Sequence, residues 1–277
     1  MRTILSYWSF DVISIVFILL LCVLYLYMIH FKWRKQSVYF FAGIFLLILC
    51  VASPLHYLGE HYLFSAHMLM HTLILLIVAP LLISGIPKEN KGQNAFIHLS
   101  AKTHQYPFLC WLAGVGVMWL WHVPAIYNQL FVMHGAMSAA HHMNVLSYIH
   151  MLSLLVGGMF FCLPVINPYS SYRLTPLFGV LYLTSACIGC SLLGLLITFA
   201  PAGTYTHYIS MNANDSMFSL IRNNWNISAA ADQQAGGLIM WVPCCFIYLS
   251  AAMVLLLKWF DAKNEAPSII NPVHALK

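Results

Sequence analysis

Charge is what this sequence has least of. Only 7% of its 277 residues are Asp, Glu, Lys or Arg, against 61% that are apolar; an ordinary soluble domain carries about a quarter charged residues. That scarcity excludes a solvated globular surface, and the long apolar stretches are separated by short polar ones rather than by soluble domains. Alternation is missing as well. Runs such as VISIVFILLLCVLYLY have no period of two, which excludes the strands of a transmembrane barrel and leaves helices. There is no internal repeat and no low-complexity segment. No small-residue cleavage site follows the first apolar run, which Asp11 interrupts near its start and which ends in YLYMIHFKWRK, so it reads as a first helix rather than a secretory signal. Cysteine is absent from the connections. Cys22, Cys50, Cys110, Cys162, Cys187, Cys190, Cys244 and Cys245 all fall within apolar runs, which argues against a disulfide framework and for small apolar packing groups.

What remains is an all-α, polytopic membrane helix bundle of one domain, 1–277. A crossing needs about 20 mostly apolar residues, and seven candidates of roughly that length occur, at about 11–30, 37–57, 62–84, 107–122, 143–166, 176–200 and 234–258. The fourth is the shortest, bracketed by Pro107 and Pro124. Lys and Arg orient the bundle. Lys32, Arg34, Lys35, Lys88, Lys91, Lys102, Arg173, Lys258, Lys263 and Lys277 fall on one side and only Arg2 and Arg222 on the other, so the positive-inside rule puts the N-terminus out and the C-terminus in. The net charge of +5 therefore reports topology and gives no ground for a nucleic-acid partner. The connection 85–106 is polar and basic and reads as a loop with one helical turn. On the outer side, 123–142 has the spacing of a helix lying at the interface, and 201–233 is long enough to be functional.

Histidine is concentrated on that outer side, which holds ten of the fourteen. His67 and His71, four apart in SAHMLMHTLILL, share one face of a helix, at depths of roughly 7 and 13 Å counted from Tyr62. His150 falls at a depth similar to that of His71, and His122 stands at the outer end of the fourth span with Met118 one turn below it. Titratable residues inside a span are costly and read first as a functional site. Hydrogen-bonding glue between helices is the plainer alternative for the pair and for His150, and interfacial anchoring, beside Trp119 and Trp121, for His122. Imidazole suits zinc, copper and iron, whereas thioethers select cuprous copper; Met68, Met70, Met118, Met133, Met137, Met143 and Met151 lie near these histidines, so copper leads. Met68 and Met70 do not fully share the His67 face. His134, His141 and His142 with their neighbouring methionines form either a looser collection site or a solvated interfacial helix. Cys187, Cys190, Cys244 and Cys245 should share a depth; they would accept cuprous ion, but buried structural thiols are the simpler reading. At the outer mouth of the seventh span, Asp232 is either a helix N-cap or, with Gln233, an outer partner that fixes the tautomer of a histidine ligand.

The stretches AHMLMHTLILLIVAPLLISG, LWHVPAIY, HMLSLLVGGMFFCLP and DQQAGGLIMWVP, in that order over about 55–245, resemble the multi-spanning CtaG family of cytochrome c oxidase assembly factors. Matched by motif, the family's polar positions fall on His67, His71, His122, His150, Asp232 and Gln233. Asn128 stands where that family usually has an acidic residue, and Leu146 where it tends to have a histidine. The resemblance implies a non-enzymatic role in maturing the copper centre of a haem-copper oxidase in the bacterial cytoplasmic membrane, with an oxidase subunit and a copper chaperone as partners. Two other classes compete. A membrane oxidoreductase could hold b-type haem between transmembrane histidines, for which only His150 offers a partner at matching depth. A metal or proton transporter would need polar groups through the whole thickness, and the inner halves of these spans lack them apart from His30.

Overall fold

A computed structural model describes residues 7–8, 11–88, 93–135, 145–209 and 216–264. The described residues are helical, with short connections. Helix α1 (Val12–Met28) starts where the Asp11 carboxylate accepts the Ser14 amide, and its wide apolar face is exposed. Helix α2 (Ser37–Ala52) and helix α3 (Pro54–His61) were expected as one span and are instead bent by 45° where they meet. The cause is Pro54, which has no amide hydrogen to continue the ladder. The Ser53 hydroxyl closes both sides of the break, donating to the Leu49 carbonyl at 2.5 Å and accepting the Leu55 amide at 3.2 Å.

Helix α4 (Phe64–Ser84) is the hub. Of its apolar window 72% is buried, compared with 50% for α8 (Val145–Ile166), 44% for α9 (Pro176–Phe199) and 22% for the last helix, α11 (Ala229–Asn264), which follows the short α10 (Ser216–Ser219). It is not uniform: Ile74–Val78 form a π turn one residue after Leu73. A matching π turn, Leu112–Gly116, lies within α6 (Pro107–His122). Four helices, α4, α8, α9 and α11, are long and apolar enough to cross a membrane, and α2 with α3 makes a fifth if the bent pair is one span. Helices α1 and α6 are apolar but shorter; the 17 residues of α1 rise about 26 Å, just under a hydrocarbon core of roughly 30 Å.

Two connections differ from expectation. The segment read as a loop with one turn contains a full helix, α5 (Gln93–Gln105), which packs against α8 and α6. Its apolar period is limited to Phe96 and Leu99, which pack on the core, and it is also held by contacts such as the Ser100 hydroxyl to Asn167 Oδ1. The final helix, α11 (Ala229–Asn264), begins earlier and ends later than the span expected at 234–258, running 36 residues through Pro243. In the 123–142 connection a helix stands where one was expected, α7 (Pro124–Gly135). Residues 136–144, with His141, His142, Met137 and Met143, lie outside the described residues, and so do the side chains of Met133 and His134.

Helices α9 and α11 pack against each other along much of their length. A Cβ at Gly237 would stand 2.8 Å from the Gly194 carbonyl and closer still to the Thr198 hydroxyl, so only glycine lets the backbones approach this far.

Candidate metal centre

Helical spacing sets His67 and His71 one above the other on α4, and their rings meet at 4.3 Å between centroids. Helix α8 supplies His150, whose ring lies 4.6 Å from His71 and 5.5 Å from His67. One ligand atom from each of the three falls within 4.8 Å of the others, and among the described residues this is the one such convergence of three His, Cys, Asp or Glu side chains. All three are buried, His71 completely. Neither ring nitrogen of His71, nor Nε2 of His150, has a hydrogen-bond partner. Burying an unsatisfied polar nitrogen costs about 1–3 kcal/mol, and hydrogen-bonding glue would have satisfied it. His71 and His150 thus each keep a ring nitrogen that no protein group uses, within the space the three imidazoles share.

His122 comes from the end of α6 and sits 5.3 Å from His71 between ring centroids. Expected at the mouth of the site, it is enclosed, with 2% of its surface exposed. Its Nδ1 lies 2.6 Å from the Met118 carbonyl, so Nδ1 carries the hydrogen and donates it. Met118 thus acts through its backbone. The other nitrogen, Nε2, then presents a lone pair, and it faces the Met68 sulfur at 3.0 Å. Met68 was discounted because it does not share the His67 face; it reaches a histidine of another helix instead, a contact that α4 alone does not reveal.

Aromatic side chains close the trio off at the α4 N-terminal end. Tyr127 of α7, fully buried, lies edge-on to His67 with centroids 5.5 Å apart, and Phe64 stacks on Tyr205 at 4.5 Å. The Tyr127 and Tyr208 hydroxyls are 3.0 Å apart, and Tyr208 donates to the Gly59 carbonyl. Tyr205 donates to the His122 carbonyl. Burial pushes the Tyr205 hydroxyl up to about 12, and Tyr208 up as well, so both remain protonated donors. The LWHVPAIY motif contains Tyr127 and could have flagged it. Tyr205 and Tyr208 come from the 201–233 connection, whose expected importance takes this concrete form. Asn128 pins that connection, donating to the Thr204 carbonyl and accepting the Thr206 amide, each at 3.2 Å.

Asp232 and Gln233 do not touch the histidines. The Asp232 carboxylate, 1% exposed, accepts the Phe64 amide at 2.8 Å, the Ser65 amide at 3.1 Å and the Ser65 hydroxyl at 2.6 Å. It caps the first turn of α4 from α11, meeting otherwise unpaired amides at the positive end of that helix. Gln233 performs the complementary task. Its amide nitrogen donates to the carbonyls of Ile197, Ala200 and Pro201 at 3.2, 2.9 and 3.4 Å, closing the far end of α9. Asp232 therefore holds the helix that carries two of the histidines, Gln233 holds α9 to α11, and the tautomer-fixing alternative for Asp232 gives way to capping because the amides of α4 claim its oxygens.

The four cysteines of α9 and α11 do come together, in pairs. The Cys187 and Cys245 sulfurs are 3.4 Å apart, with the Ser191 hydroxyl 3.1 Å from the latter, and Cys190 bonds to Cys244 and Tyr248.

Comparison with curated proteins and with solved structures finds no match. A family profile does match, over residues 20–262, spanning every helix that carries the histidines, the aromatic closure and Asp232. The chain belongs to the family of cytochrome c oxidase caa3 assembly factors.

Proposed function

We propose that this protein assists the assembly of a haem-copper oxidase by holding copper between His67, His71 and His150, with His122 and the softer thioether of Met68 beside them. The observation that carries the proposal is the convergence of three buried imidazoles within 4.8 Å, with both nitrogens of His71 and Nε2 of His150 satisfied by no protein group. The donor set fits the ion. Imidazole alone would suit zinc or iron as well, but a thioether 3.0 Å from an unprotonated histidine nitrogen favours cuprous copper. Bound there, copper would supply cargo for the oxidase rather than catalysis, and no catalytic step is assigned to the chain.

The protein's own residues do the remaining work. Asp232 fixes the histidine-bearing end of α4 to α11, and Gln233 fixes α11 to α9. Tyr127, Tyr205 and Tyr208 exclude water from one end. By the distribution of Lys and Arg that end faces outward, so copper would arrive from, and leave toward, the outer side, where a chaperone and an oxidase subunit could meet it.

The haem alternative finds less support. A macrocycle needs a flat slot between two axial rings, and three imidazoles in mutual contact at 4.3 to 5.5 Å between centroids offer none. Two measurements test the proposal. Protein purified with cuprous copper should hold copper that a His67→Ala, His71→Ala double variant loses, with no Soret band. The oxidase purified from a deletion strain should contain haem but lack copper and activity. A copper-loaded, active oxidase from that strain would remove the assembly role.

A further inference from the structure

At the end of the bundle away from the histidines, four cationic side chains surround one cavity. Arg34 arrives from the turn between α1 and α2, Lys88 from just beyond α4, Arg173 from the connection between α8 and α9, and Lys258 from α11. The cavity measures about 790 Å³, and among the described residues that line it none is Asp or Glu. The residues that contribute the charges lie far apart in the sequence, so the fold assembles this concentration rather than a basic run. Like charges gathered round a concave surface repel, and the arrangement becomes favourable once an anion sits among them.

Three features narrow the anion to a lipid. First, the wall between the charges is apolar, formed by Ile86, Val165, Ile166, Val254 and Leu255, which a free hydrated phosphate would not need. Second, that wall runs into an exposed apolar face: Val254, which lines the cavity, is 51% exposed, and Leu257 one turn of α11 away 56%. Third, the Arg173 guanidinium is held in place through Nε, which donates to the Asn167 carbonyl at 2.6 Å and leaves the two terminal nitrogens out of that bond. A held, forked cation beside a greasy wall suits a phosphodiester whose acyl chains continue along the helix. The Lys and Arg count places this end on the cytoplasmic side, where basic pockets between transmembrane helices bind anionic headgroups.

We propose that this cavity binds the phosphodiester of an anionic phospholipid, with Arg34, Lys88, Arg173 and Lys258 around the headgroup and acyl chains along the exposed face of α11. The site is independent of copper binding and of the assembly role. The test is thermal unfolding of the full-length protein in dodecyl maltoside micelles titrated with phosphatidylglycerol, with phosphatidylcholine or with inorganic phosphate. Phosphatidylglycerol should raise the midpoint and the other two should not. A Lys88→Gln, Lys258→Gln variant, with unchanged helical content, should need roughly thirtyfold more phosphatidylglycerol for the same shift, from the loss of two charges near the headgroup. A control Lys32→Gln, Lys102→Gln variant, with charges that do not line the cavity, should behave like the parent. Equal shifts from phosphatidylcholine, an equal shift from inorganic phosphate, or a full shift in the Lys88→Gln, Lys258→Gln variant would each overturn the proposal.

Discussion

The molecule holds two clusters of metal-compatible side chains, and they are built on opposite terms. Around His71 three imidazoles from two helices converge, and the nitrogens of His71 find no hydrogen-bond partner. Between α9 and α11 the thiols satisfy one another: Cys187 donates to Cys245, Ser191 joins them, and Cys190 is bonded to Cys244 and Tyr248. Both clusters are buried in a low-dielectric bundle and both contain ligand types that copper accepts. The difference is that one cluster has closed its own bonding, while in the other the nitrogens of His71 stay unpaired. Residue type alone therefore does not separate the two clusters; whether the donors are already satisfied does.

Substitutions can break this contrast, and the largest effect should come from the histidine side. His71→Ala removes the completely buried member of the trio, and copper affinity should fall more than about 100-fold, beyond the range usual for losing an outer partner. Equilibrium dialysis with cuprous copper would read it, and unchanged affinity would move the site elsewhere. Asp232→Asn should come next. It keeps the size of the cap but takes a charge from the positive end of α4, so unfolding should become easier by about 2 kcal/mol, with copper affinity lowered about tenfold or less as the helix shifts. Denaturant unfolding of the metal-free protein separates the two contributions.

Met68→Leu sharpens the question of oxidation state. The thioether selects the cuprous ion, so cuprous affinity should drop several-fold while cupric affinity stays within about twofold; equal losses would mean that the sulfur only packs. The smallest effect belongs to the thiols. Cys187→Ser with Cys245→Ser keeps a hydrogen bond between the two positions, and should change stability by less than about 1 kcal/mol and leave copper content unaltered. If copper binding fell with this pair as far as with His71→Ala, the contrast between the two clusters would collapse.

Much of the histidine geometry was open to inspection in the linear sequence because it is carried by helical arithmetic. His67 and His71 are four apart, and counting residues from the span ends puts His150 level with His71. The contacts that cross between helices were not legible. Met68 is discounted on its own helix and meets His122 only because α6 packs beside α4. Asp232 looks like the cap of its own helix but serves another, 168 positions away from the Phe64 amide it accepts. The α5 helix escaped notice since its apolar side is only about a turn long, Phe96 and Leu99, among polar residues that lower the mean hydropathy. The bend at Ser53 was visible in principle, as a proline inside an apolar run, and the run's hydropathy concealed it.

The π turn at Ile74–Val78 gives α4 an unusual tolerance to changes of length. Such a turn is one residue longer than the α turn it replaces, as though a residue had been inserted and the helix had bulged to absorb it. Deleting one residue within that stretch should relax the bulge into an ordinary α turn, with His67 and His71 still facing His150. A deletion between Ser65 and His71 has no bulge to draw on, and would swing one part of the helix by about 100° against the other, since each α residue turns through that angle. In a set of length variants of this protein, the survivors should cluster just past the second histidine.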